Sequence, residues 1–379
     1  MLFIFYCIVS SFVIAFLLLP ILIDVLTKQH LLDIGGRRKI HKGFIPSMGG
    51  IAIFIGFLFS ISVWIPLSDL AHYRYLYAAT IFIFITGLRD DFLPVSPGTK
   101  LATQLLSAIM VVWGEGYMGT RITSFGGFLG IYELPLVVSY ALSVFVIIVI
   151  TNAFNLIDGL DGLAGLIGLI AFTFLAAWFM LVRDGQNHSW TMALLLVALI
   201  GSVIAFLCYN WHPASIFMGD TGSLLLGFIF SVAIIKFLQI SGDPNFISAY
   251  KFSAPISMAV AFAIIPLFDT GRIFLLRLSQ GRSPFMPDKL HIHHLLMRMG
   301  FDHSQVALIM GAIYVLLLLG TYLLAKHLSD NFLIPILILV CIGLHFLLDY
   351  IVNFVFQYRR RKQMKEESVA IAKSDSVFI

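Results

Sequence analysis

Apolar residues along this chain seldom alternate with polar ones; they run together over long stretches separated by short polar segments. A helix needs roughly 20 apolar residues to cross the hydrocarbon core of a bilayer. Stretches near that length occur at residues 2–23, 47–67, 74–88, 100–116, 136–155, 162–182, 191–210, 222–240, 254–276, 304–326 and 332–356. The pattern predicts an all-α integral membrane protein, a bundle of about eleven transmembrane helices in which the third and fourth are short. No long linker, low-complexity tract or repeat divides it. Residues 1–358 are therefore expected to form a single polytopic membrane domain, and residues 359–379 a basic, flexible cytoplasmic tail. One segment departs from the pattern: residues 120–134 alternate loosely around Gly126 and Gly127, which predicts a small β-hairpin.

Composition supports the membrane reading. Of the 379 residues, 60% are hydrophobic and only 12% charged, against about 25% charged in a soluble domain. The net charge of +4 is modest, and no nucleic-acid partner is expected. Cys7, Cys208 and Cys341 are scattered through apolar runs without paired spacing, so neither a disulfide framework nor a cysteine-based zinc site is implied. The N-terminus lacks the basic segment of a cleaved signal peptide, and its first positive residues follow the first apolar run.

That charge placement sets an orientation. With the N-terminus outside, 18 of the 24 Lys and Arg fall on inner segments, including Lys28, Arg37, Arg38, Lys39, Arg272, Arg277 and six in the tail. The remaining Arg74, Arg121, Arg183, Lys236, Lys251 and Lys326 lie singly on the outer side. The positive-inside rule thus predicts a periplasmic N-terminus, a cytoplasmic C-terminus and a periplasmic hairpin.

The polar clusters that could carry chemistry share the inner side. Between two apolar runs, residues 152–165 read Asn-Ala-Phe-Asn-Leu-Ile-Asp-Gly-Leu-Asp-Gly-Leu-Ala-Gly. Asn152, Asn155, Asp158 and Asp161 recur every three residues; on a helix each step drifts by only about 60°, so three neighbours share a face. The plainer alternative is an interhelical turn with capping Asn and Asp. The adjacent Asp90 and Asp91, followed by Lys100 and Gln104, repel unless a cation offsets them. Magnesium, which favours carboxylate and phosphate oxygens, is the natural candidate. Asp220 lies in Phe-Met-Gly-Asp-Thr-Gly-Ser (217–223), where a helix cap is the competing explanation. The 35–50 loop combines cations with glycines. A longer loop runs from Arg277 through Ser-Pro-Phe-Met-Pro-Asp (283–288) to His291, His293 and His294; it lacks the His-Glu-x-x-His of a zinc protease. His345 and Asp349, at i and i+4 in the last span, are expected to be a structural pair.

No P-loop is present, and no Ser-His-Asp spacing stands out. Carboxylates, a hard metal and cationic phosphate binders suit phosphoryl transfer, in which the protein positions groups and neutralises charge. Grooves between apolar helices would suit a lipid acceptor. A transporter is the rival class, but transporter sites lie near the bilayer midplane and these acids crowd one rim.

Asp90-Asp91, the 152–163 run, 217–223, and Ser-Pro-Phe-x-Pro-Asp-x-x-His-Ile-His-His (283–294) together resemble the polyprenyl-phosphate N-acetylhexosamine-1-phosphate transferases, in the expected order over nearly the whole chain. Similarity is greatest to the members that begin O-antigen and enterobacterial common antigen synthesis. The resemblance implies a bacterial inner-membrane enzyme. It would transfer N-acetylglucosamine-1-phosphate from UDP-N-acetylglucosamine to undecaprenyl phosphate, releasing UMP, with magnesium as cofactor and manganese as a substitute. Another UDP-N-acetylhexosamine or phospho-MurNAc-pentapeptide is the alternative donor, and a homodimer is left open. It also implies roles: Asp220 as the main metal ligand; Asp90 and Asp91 beside the metal and lipid phosphate; Asn155 and Asp158 lining the nucleotide site; and Asp161 helping to hold uridine. Arg277 would contact the diphosphate, Asp288 and His291 to His294 the sugar nucleotide, and Lys100 the lipid phosphate. Relatives often carry a third carboxylate where this chain has Pro94, so none is assigned there.

Overall fold

The computed structural model describes residues 2–29, 45–114, 119–182, 188–243, 246, 248–281 and 292–375, and they contain fourteen α-helices. In order these are α1 (Leu2–Lys28), α2 (Gly50–Trp64), α3 (Leu67–Ala71), α4 (Arg74–Phe92), α5 (Pro97–Gly114), α6 (Leu136–Ile157) and α7 (Leu163–Leu181). Then follow α8 (His188–Asn210), α9 (Gly219–Ser241), α10 (Pro255–Phe262), α11 (Ile264–Ser279), α12 (Ile292–Arg298), α13 (His303–Leu324) and α14 (Asp330–Asp375).

Each of the eleven apolar stretches is helical, but fewer qualify as spans. Among the described residues, seven helices (α1, α6 to α9, α13 and α14) are long and apolar enough to cross a bilayer, or eight if α10 and α11, bent by 75° at Ala263, count as one. This corrects the expectation of about eleven. The shortfall has local causes: α2 stops after 15 residues ahead of Pro66, α4 carries Arg74, Arg89, Asp90 and Asp91, and α5 opens on polar turns holding Lys100 and Gln104. The chain is an integral membrane protein of all-α class.

The expected hairpin is also corrected. Over 120–134 only one antiparallel bridge forms, Phe128 with Ile131. Gly126, Gly127 and Gly130 all adopt positive φ, so the chain coils through successive tight turns instead of extending into strands.

α9 is the axis of the bundle. Every residue from Thr221 to Phe237 is buried, a pattern expected of a helix apolar all round and covered on all sides. α2, α4, α6, α7 and α10 pack against it, with Phe154 and Phe172 each meeting Phe230 edge to face. At the far end, Asp330 accepts from the amides of Ile256 and Ser257 and from the Ser257 hydroxyl, so the first residue of α14 caps the start of α10. Within α14, His345 Nε2 lies 3.3 Å from Asp349 Oδ2, the pair expected from their spacing.

Candidate active site at one end of the bundle

α9 starts in a crowded place. The backbone of Gly49 and Gly50 donates to the carbonyls of Phe217 and Met218, and Phe217 donates back to Pro46. Gly219 then turns the chain with φ +70°, a conformation that favours glycine. The first amides of any helix have no partner within it; here Asp91 supplies one from another helix. Its Oδ1 accepts from the Asp220 amide at 2.8 Å, and its Oδ2 from the Thr221 amide at 3.0 Å and from the Thr221 hydroxyl. Burial pushes the Asp91 carboxyl up to about 6, although those hydrogen bonds favour the charged form. α4 approaches closely enough to allow this because residue 87 is glycine: a Cβ there would lie 2.6 Å from the Asp220 carbonyl.

The other carboxylates converge above that anchor. The Lys100 ammonium sits between Asp90, at 2.5 Å, and Asp220. Asn155, in the last turns of α6, donates to Asp220 Oδ1 at 2.8 Å and to the Ser223 hydroxyl at 2.7 Å. The Val95 amide donates to Asp90 Oδ1 at 2.6 Å, so the bend after α4 fixes Asp90 as well. Burial and the neighbouring Asp220 carboxylate raise the Asp90 carboxyl, against the pull of Lys100. Four helices (α4, α5, α6 and α9) thus contribute Asp90, Lys100, Asn155 and Asp220 to one polar centre. The gap between the carboxylates holds a positive charge and is bordered by oxygen donors, a set that fits a hard divalent cation such as magnesium.

The three-residue series beside it divides. α6 ends at Ile157, so Asn152 and Asn155 project from the helix, with Asn152 paired to Gln104 of α5. Half-buried Asp158 is the C-terminal cap. After it the chain turns through Gly159 and through Gly162, which has φ +74°, before α7 begins. His293 of α12 packs against this turn, its Nε2 3.5 Å from where a Gly159 Cβ would stand. The His293 and His294 rings lie 4.4 Å apart. Buried Arg277 closes the last turn of α11. Asp288, His291 and most of the 35–50 loop lie outside the described residues.

Three residues in this region were not singled out by sequence. Buried Asp269 of α11 accepts from the Ile292 amide at 2.9 Å and so holds the start of the histidine-bearing α12. Asp161 is buried, and its Oδ2 lies 2.7 Å from His212 Nδ1 and 3.3 Å from His303 Nδ1. The Trp-His-Pro before 217–223 and the Asp-His that opens α13 are the only local signals for these histidines, and neither points to Asp161.

Residues 73–238, which carry Asp90, Lys100, Asn155 and Asp220, match glycosyl transferase family 4. The chain is 32% identical over 319 residues to the probable undecaprenyl-phosphate N-acetylglucosaminyl 1-phosphate transferase of Bacillus subtilis (strain 168), covering 80% of each chain. It is 31% identical over 331 residues to the undecaprenyl-phosphate alpha-N-acetylglucosaminyl 1-phosphate transferase of Escherichia coli (strain K12), covering 84% of this chain and 81% of that one. The protein of that name from Salmonella typhimurium (strain LT2) is 32% identical over 363 residues, 91% of each chain. With relatives of this similarity along most of its length, the chain belongs to glycosyl transferase family 4, the polyprenyl-phosphate N-acetylhexosamine-1-phosphate transferases.

Proposed function

We propose that the protein transfers N-acetylglucosamine-1-phosphate from UDP-N-acetylglucosamine to undecaprenyl phosphate and releases UMP, the initiating step of cell-surface polysaccharide synthesis. The observation that carries this is the meeting of Asp90, Lys100, Asn155 and Asp220 at one end of an apolar bundle, in a chain whose relatives bear that activity in their names. The cations at the site end of the bundle, Arg89 and Lys100 beside Asp90 and Arg272 and Arg277 on α11, support an inner-membrane protein with this end, and so the active site, in the cytoplasm, and with it a periplasmic N-terminus and a cytoplasmic C-terminus. A topology reporter fused at the C-terminus tests this, and a periplasmic signal would reverse it.

The chemistry follows from the groups present. A phosphate monoester has a second pKa near 6, so the lipid phosphate is largely dianionic at neutral pH and already nucleophilic. One of its oxygens attacks the β-phosphorus of the nucleotide sugar, the bond from that phosphorus to the bridging oxygen breaks, and UMP leaves with the electron pair. No protein nucleophile is needed. Asp90 holds the acceptor, and Lys100, seated between two carboxylates, meets its phosphate. Asn155 and Asp158 line the nucleotide site, and Asp161 helps hold uridine. Arg277 contacts the diphosphate, and Asp288, His291, His293 and His294 the sugar nucleotide. Asp220 would be the main magnesium ligand with Asp90 nearby, while Asp91 fixes the turn that carries Asp220. When bound, the ion supplies neutralisation of diphosphate charge.

The test is UMP release by detergent-purified protein given magnesium, lipid phosphate and a panel of UDP-sugars. Turnover with UDP-N-acetylglucosamine, lost in Asp220→Asn, is expected. Preference for UDP-N-acetylgalactosamine would change the donor, and unchanged turnover in Asp220→Asn would remove that residue from the metal site.

A further inference from the structure

Lys100 carries two assignments that one ammonium cannot hold at once. It bridges Asp90 Oδ2 and Asp220 Oδ2, the carboxylates that suit a divalent ion, and it is also the group read as meeting the lipid phosphate. We propose that the ion and the ammonium exchange places: the ion displaces Lys100 from the two carboxylates, and the phosphate of the lipid receives it. Metal binding and acceptor binding are thereby coupled through one side chain. The exchange rests on the phosphoryl-transfer reading for its lipid, and on the side-chain geometry for the rest.

Each carboxylate has one oxygen committed elsewhere. Asp90 Oδ1 accepts from the Val95 amide at 2.6 Å, and Asp220 Oδ1 from Asn155 at 2.8 Å. Their Oδ2 atoms are left for a cation, and Lys100 reaches both, standing 2.5 Å from that of Asp90. Magnesium bonds oxygen at about 2.0–2.1 Å. An ion on Asp90 Oδ2 would therefore stand no more than about 4.6 Å from the ammonium. At that range a double and a single positive charge repel strongly, even at a protein's effective dielectric. The ion brings the larger charge to the two carboxylates, so Lys100 gives way.

The head of Lys100 can move while its surroundings stay. The residue lies near the start of α5, its amide bonded to the Ser96 carbonyl at 3.1 Å, and its side chain is partly exposed. A flexible four-carbon stem lets the ammonium swing without shifting that backbone. Asp90 remains held by the Val95 amide, and Asp220 by Asn155 and by the bond from its own amide to Asp91. Displaced, the ammonium exchanges two ion pairs for water. A phosphate dianion restores them, since three N–H donors become available to its oxygens. Each ligand therefore strengthens the binding of the other, by the same factor in both directions.

The experiment reads metal binding, not turnover. The full chain in detergent is titrated with manganese(II), and the unbound ion is counted by electron paramagnetic resonance. Removing the ammonium in Lys100→Met or Lys100→Gln should tighten manganese binding at least about tenfold, while Lys100→Arg, which keeps the charge, stays near wild type. Undecaprenyl phosphate, added until the affinity no longer changes, should tighten binding by a larger factor in wild type than in Lys100→Met. Direct attraction of ion to phosphate is common to both proteins, and only wild type has an ammonium to hand over; undecaprenol should leave both unchanged. Equal or weaker binding in the two neutral variants would overturn the exchange, as would a tenfold gain in Lys100→Arg or an equal effect of the lipid phosphate on the two proteins. If manganese uptake is lost in Asp220→Asn but equal across the Lys100 series, the transfer reaction stands and the exchange alone falls. No uptake by wild type or variants would remove the metal site on which both depend.

Discussion

Replacing Gly219 by alanine tests how the site is built without touching a charged group. The residue has φ +70°, and a side chain in that left-handed region costs about 1–2 kcal/mol. The added Cβ would stand 2.5 Å from Asp91 Oδ2, 2.8 Å from its Oδ1 and 2.7 Å from the Ser47 hydroxyl. Ordinary contact begins near 3.4 Å, so the carboxylate must retreat by about 0.9 Å. Its bonds to the Asp220 and Thr221 amides, now 2.8 and 3.0 Å, cannot both survive that shift. A hydrogen bond to a charged group contributes about 1.5–3 kcal/mol, so losing one on top of the strain destabilises the protein by about 3–5 kcal/mol. Asp220 is the next residue, and a displacement approaching 1 Å costs about 100-fold in rate. Thermal unfolding and UMP release, measured side by side on detergent-purified protein, should both fall. Wild-type melting with wild-type turnover would refute the argument that Asp91 and Gly219 together set the position of Asp220.

Three further outcomes follow from the same geometry. Because burial raises Asp91 to about 6, its protonated form is favoured on folding, and the stability gained from that proton is present at low pH and lost as pH rises through about 6. Acidification through 6 should therefore reduce turnover, as the anchor loses its charge, without lowering the melting temperature on Asp91's account. Asp91→Asn, whose NH2 cannot accept, forfeits a bond from the Asp220 or Thr221 amide and should lower both turnover and stability, the latter by about 1–3 kcal/mol; wild-type melting with wild-type turnover would contradict this. Asn155→Ala removes the donors to Asp220 and Ser223 and should lower turnover about 10–100-fold, read as UMP release at saturating substrates. Gly87→Ala places a methyl group 2.6 Å from the Asp220 carbonyl and should cost about 1–3 kcal/mol by forcing α4 and α9 apart, measured by denaturant or thermal unfolding.

The helices were legible because each apolar run had to close its backbone hydrogen bonds within itself. Their fitness to span was less so: charges that look like flanks, such as Asp90 and Asp91, proved to lie inside α4. The 75° break at Ala263 had one local sign, Pro266 three residues later, whose ring and missing N–H are incompatible with a helix running on from Phe262. Gly126 and Gly127 suggested a hairpin turn, but a third glycine at 130 keeps the segment coiled. At the site, Asp90, Asp158 and Asp220 stood out because carboxylates are costly near lipid. Their partners are long-range and invisible to spacing. Lys100 joins Asp90 to Asp220 across 120 residues, Asp91 caps a helix that starts about 130 residues later, and Asp161 meets two histidines that no local motif connects to it. The series 152–161 misled in part because α6 ends before its last members, so one helical face became two environments.

The central claim is that these groups align two phosphorylated substrates for direct transfer, and a single-turnover experiment tests it most directly. Excess protein is mixed with magnesium and UDP-N-acetylglucosamine labelled at the β-phosphate, with and without undecaprenyl phosphate, and then quenched. Direct transfer predicts UMP and labelled lipid only when the lipid is present, with no label on the protein. A burst of UMP without lipid, accompanied by protein-bound label that disappears in Asp90→Asn, would contradict it and make Asp90 a nucleophile.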